Sequence, residues 1–111
     1  MVKLVLGTIL GLSLAMPATA KIYDPVMEEN LKIARMFCVE NSDCVNLLAL
    51  ELDDAYRKGK RLQTSERPWN VNVNRQTKEL TTLCDTAPNK QVCNVYRIKL
   101  LERFIEGLDG L

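Results

Sequence analysis

Apolar residues recur at helical intervals along most of this chain. After Asp24, the residues Met27, Leu31, Ala34 and Cys38 share one helical face, and Ile33 and Phe37 widen the stripe. Asp24 can cap this helix, Pro25 suits its first position, and Glu28 and Glu29 complement the positive end of its dipole. Asn41 and Ser42 interrupt the pattern, with Ser42 able to cap again. Cys44, Val45, Leu48, Leu52, Ala55 and Tyr56 then predict a second amphipathic helix, ended by Arg57, Lys58 and Gly59. From Lys60 to about Val73 the period is lost. Pro68 forbids a continuous helix there, and Val71 and Val73 alternate with Asn70, Asn72 and Asn74, as in a short extended edge or a loop. A third helix is expected to begin near Asn72 or Asn74 and to carry Val73, Leu80, Leu83 and Cys84. After a turn at Asp85 to Pro88, the fourth helix runs from about Pro88 to Glu106 with a broad apolar arc of Cys93, Leu100, Leu101, Phe104, Ile105 and Leu108. That arc makes it the expected central packing element, with Gly107 and Gly110 fraying its end.

The first twenty residues follow a different pattern. Met1-Val2-Lys3 is a short positive end, Leu4 to Met16 is apolar, and Pro17-Ala18-Thr19-Ala20 supplies a small-residue cleavage site. This order reads as a secretory signal peptide over 1–20, cut before Lys21, leaving a mature domain over 21–111. The apolar stretch is shorter than the roughly twenty residues a membrane-spanning helix needs. The expected location is the bacterial periplasm or the exterior, with no stable membrane insertion after cleavage.

A mature chain of this length buries only a little over roughly 60 % of its unfolded surface, so its core needs support. Cys38, Cys44, Cys84 and Cys93 offer it, because an even cysteine count in a short exported chain reads as two disulfides. Each pair flanks a predicted bend. Local pairing, Cys38 with Cys44 and Cys84 with Cys93, closes easily during oxidation. Pairing between the hairpins, Cys38 with Cys93 and Cys44 with Cys84, would stabilise more, about 4 against about 2.5 kcal/mol per bridge in the loop-entropy model. We favour the local pairing. The expected fold is therefore all-α, a small four-helix domain of two helical hairpins stapled by two disulfides. The cysteine spacings are wider than those of zinc sites, and no metal or other cofactor is expected.

Charge is balanced overall and uneven along the chain. Lys21 to Tyr56 holds three basic and eight acidic residues, while Arg57 to Leu111 holds eleven basic and six acidic. With Lys3 removed the net charge is zero, which gives no case for nucleic-acid binding. The chain has no histidine, so the commonest general base is missing. The adjacent acids Glu28 with Glu29 and Asp53 with Asp54 point about 100° apart on a helix, cannot flank one bond, and read as surface groups. With no glycine-rich phosphate loop either, no catalytic residue is nominated and an enzyme is not expected. Binding features are better represented. Arg57, Lys58, Lys60 and Arg61 gather where a helix is expected to end, either compensating its dipole or meeting an anionic partner. Trp69, the only tryptophan, is either a lid over the core or an interface anchor.

The run Leu50-Glu51-Leu52-Asp53-Asp54-Ala55-Tyr56-Arg57, then Trp69 and Arg75, then Cys84 and Cys93 followed by Tyr96-Arg97-Ile98, resembles the order of features in LprI-type lysozyme-inhibitor domains, which are small exported helical proteins. The resemblance implies a protein that binds and blocks an envelope enzyme such as lysozyme, the basic cluster and Trp69 meeting an acidic cleft. An inhibitor or immunity factor is therefore the expected function, with a periplasmic structural, chaperone or secretion-system accessory role as the alternative. The expected partner is a protein of the cell envelope or beyond.

Overall fold

The computed structural model describes residues 24–111, so the predicted signal segment lies outside the described residues. Four helices follow in order: α1 (Pro25–Phe37), α2 (Ser42–Leu62), α3 (Trp69–Glu79) and α4 (Lys90–Asp109). No strand occurs among the described residues. Both disulfides are local, Cys38–Cys44 and Cys84–Cys93. The architecture is the expected all-α pair of stapled hairpins.

Short polar side chains start three of the helices. Asp24 Oδ1 accepts from the Val26 and Met27 amides at 3.0 and 3.4 Å, and Pro25 occupies the first turn, where a missing N–H costs nothing. Asn41, not Ser42, caps α2 by accepting from Cys44 N at 3.1 Å. Asn89 does the same for α4 through Val92 N at 3.1 Å. α3 has only Pro68 at its N-cap. The preceding connection is tied to its first turn instead: Arg67 Nε donates to Asn72 Oδ1 at 3.1 Å, and Asn72 Nδ2 donates to Ser65 Oγ at 3.3 Å.

Residues 69–73 are helical, neither extended nor loop, because Pro68 stands before the helix and the alternating asparagines fall on different helical faces: Asn72 is buried while Asn70 and Asn74 are exposed. α3 also ends earlier than its cysteine implied, and residues 80–86 form successive turns.

α2 and α4 form the largest interface of the bundle, and they run parallel. Glu51, midway along α2, meets Tyr96 in the first half of α4, and Tyr56, further along α2, donates to the Leu111 carbonyl just past the end of α4 at 2.6 Å. α1 packs antiparallel to both, joining Asn30 to Asp53 and Arg103 and setting Phe37 edge-on to Tyr96 with ring centroids 5.4 Å apart. α3 lies antiparallel on the other flank, where Trp69 reaches Asp109 and Arg97 reaches the Thr81 carbonyl. The core along these contacts contains Ile33, Ala34, Ala49, Leu52, Ala55, Tyr96, Leu100, Phe104 and Leu108. α4 is central, as expected, and α2 shares that place.

The parallel pair comes closest at two glycines. A Cβ on Gly59 would stand 2.0 Å from the Phe104 carbonyl oxygen, and one on Gly107 would stand 2.0 Å from that of Tyr56. Neither glycine ends its helix. α2 continues to Leu62 and α4 to Asp109, and the glycines serve the crossing instead, since only a residue without Cβ lets the two backbones touch. The turn-forming glycine is Gly110, at φ 80° in the left-handed region.

Parallel α2 and α4 place both disulfides at one end of the bundle. The end of α2, the start of α3 and the end of α4 share the other end.

Candidate binding surface

The basic cluster divides when it folds. Arg57, Lys60 and Arg61 are exposed on the last two turns of α2. Lys58 turns toward α3 and pairs with Glu79. Arg57 is held by Asp53, its Nε donating to Oδ2 at 2.6 Å across one helical turn, and this bond together with the Asp53 charge raises the guanidinium's proton affinity further. Lys60 and Arg61 have no acidic partner among the described residues, so within this cluster they are the cations free to meet a ligand.

Trp69 sits at the same end of the bundle, as the first residue of α3 and not in an irregular connection. The residue is 50 % exposed, and its indole Nε1 donates to Asp109 Oδ1 at 2.8 Å. It braces the end of α4 without sealing the core. An exposed indole at the same bundle end as free cations has the composition of an interface anchor.

Asp53 overturns another expectation. It is buried, at 8 % exposure, while Asp54 is exposed. Asp53 belongs to a polar chain that crosses three helices. Arg57 donates to Asp53 Oδ2, Asn30 Nδ2 donates to Asp53 Oδ1 at 3.4 Å, and Arg103 Nε donates to Asn30 Oδ1 at 2.8 Å. Arg103 also pairs with Glu106, donates to the Val26 carbonyl at 3.3 Å, and lies over the Tyr56 ring at 5.1 Å from its centroid. Every long-range member is spoken for, which is the condition for burying charge without a large penalty.

The sequence reading did not single out Asn30 or Arg103. Their signal was positional: Asn30 falls between Met27 and Ala34 on the apolar face of α1, and Arg103 sits beside Phe104 and three residues after Leu100. A polar residue on a core stripe needs a partner, and here each supplies the other's.

Burial also acts on Tyr96. Loss of solvent, and next its hydrogen bond to Glu51, push its phenol well above the ordinary tyrosine range. No group of three or more Cys, Asp or Glu side chains able to hold a metal comes together among the described residues. No described helix is long and apolar enough to cross a membrane.

No match is found among curated proteins or among solved structures. A family model does match, described as the valyl-tRNA ligase modifier family, and it covers residues 1–110. A match over nearly the whole length shows the family: this chain belongs to the valyl-tRNA ligase modifier family.

Proposed function

We propose that this protein is a non-catalytic binding protein that acts by stoichiometric contact, and that Lys60, Arg61 and Trp69, with Arg57 alongside, form its contact surface. The observation that carries the reading is the free basic end of α2 at the same bundle end as a half-exposed indole. The family description names a valyl-tRNA ligase as what is modified, and that enzyme is the first partner to test. On this reading modification means a change in the ligase brought about by binding, and the chain has no histidine to act as a general base.

A second partner is favoured by a separate observation. Two disulfides suit an oxidising compartment, and residues 1–20 carry the signal pattern. In that setting the partner is an envelope enzyme such as lysozyme, as the resemblance to LprI-type domains implies. A periplasmic accessory role remains the alternative to inhibition.

Isothermal titration of the oxidised protein against a valyl-tRNA ligase and against a lysozyme tests these readings. The expected result is 1:1 binding to one of them, with K60E/R61E weakening it about tenfold or more and Trp69→Ala weakening it comparably. Arg57 is a poor site for charge reversal, because its loss leaves the buried Asp53 without its cation. Binding that ignores K60E/R61E and Trp69→Ala defeats the proposed surface. Absence of complex with either enzyme defeats both partner assignments.

A further inference from the structure

We infer that the groove between α2 and α3 is a second binding site, which takes an arginine side chain presented by a partner protein. It is separate from the basic end of α2 and does not depend on it. The groove has a volume of about 250 Å³. Its floor includes Ala55, Leu80 and Leu100, and Leu83, 40 % exposed, stands at its side. Glu51 and Asp54 supply its carboxylates, and Asp54 has no cationic partner among the described residues. Lys58, the one cation lining it, is neutralised by Glu79.

The second observation is an orphan. Gln76 lines the same groove and is only 7 % exposed, yet its Oε1 is buried with no hydrogen-bond partner. A buried acceptor without a donor is costly, and buried polar groups ordinarily have one. The missing group must donate, favour nearby carboxylate, and carry an apolar stem along a leucine-lined floor. A guanidinium on three methylenes meets all three conditions: it has five N–H donors, no acceptor and a permanent charge. An ammonium is a more strongly hydrated point charge and fits less well. Leu47 and Leu50, 58 % and 57 % exposed on α2, add apolar surface for the residues that flank such an arginine.

NMR titration of the oxidised protein tests this, reading the Gln76 side-chain amide resonances together with the backbone amides of Asp54 and Leu80, which line the groove and persist in every variant. The probes are n-butylguanidinium, butyltrimethylammonium and butyrate. n-Butylguanidinium is expected to shift those resonances saturably. Butyltrimethylammonium, which has the charge and no N–H, should bind at least threefold more weakly, and butyrate should not saturate. Asp54→Asn should weaken n-butylguanidinium at least threefold with an unchanged melting temperature. Gln76→Leu should abolish the preference between the two cations, and Gln76→Glu should tighten guanidinium binding; either variant suffices if the other fails to fold. Tighter butyrate binding, equal binding of the two cations, indifference to Asp54→Asn, or no saturation by n-butylguanidinium each overturns the assignment.

Discussion

Arg103 is where one side chain holds the most structure together. Its guanidinium, almost fully buried, joins α4 to Asn30 and the Val26 carbonyl of α1 and rests on Tyr56 of α2. Arg103→Met keeps much of the volume and leaves Asn30 Oδ1 without its donor, so chemical denaturation should show a loss of about 3 kcal/mol. Asn30→Ala alone should cost about 2 kcal/mol, and the double variant less than the sum, because both remove the same bond. An additive double variant would mean that the two residues are not coupled. Tyr96 gives the pH test. Its phenol ionises less readily in the folded protein than a free tyrosine, whose pKa is about 10, so the folded state favours the neutral form. The corresponding stability is fully present below that value and lost as pH rises above it. Tyr96→Phe should therefore flatten the alkaline decline in melting temperature, with a small cost at neutral pH because Glu51 is exposed.

Among the elements, the α2–α4 crossing depends on two absent methyl groups. Gly59→Ala or Gly107→Ala would raise intrinsic helix propensity by about 1 kcal/mol. Each would also drive a Cβ against a backbone carbonyl oxygen that cannot rotate away. The net effect should be destabilisation of at least about 2 kcal/mol, seen as a lower denaturation midpoint. A neutral or stabilising result at both positions would contradict the close approach. The same contrast explains what could be read in advance about these helices. Asp24, Pro25 and the apolar period of α1 act within one turn, so that helix was legible. The role of Gly59 was not, because a glycine after Arg57 and Lys58 is also the local pattern of a helix end, and the residue that decides between the two, Phe104, lies far along the chain.

For the whole molecule, the staples and the surface are the testable features. Both disulfides close the end where α2 and α4 begin. Reducing both should cost about 2–5 kcal/mol per bridge and lower the melting temperature sharply, as calorimetry with and without reductant would show. Full retention of stability after reduction would show that packing alone suffices. The candidate contact surface was partly legible. Arg57, Lys58, Lys60 and Arg61 are adjacent in sequence, but only the fold turns Lys58 to Glu79 and binds Arg57 to Asp53. Gln76 gave no signal at all, since an exposed and an orphaned glutamine look alike until α2 and α4 are packed around it.

The sequence by itself determined the helical class, the number of helices and the cap at Asp24, and it favoured the local bridging of the cysteines over the cross-hairpin pairing without deciding it. Each of these follows from periodicity or from contacts a few residues apart. The tertiary structure alone decided that α2 and α4 run parallel through Gly59 and Gly107, that Asn30, Asp53 and Arg103 form one buried chain, and which cations remain free. Those outcomes depend on groups brought together from distant positions, where burial changes the cost of an unpaired charge or a single methyl.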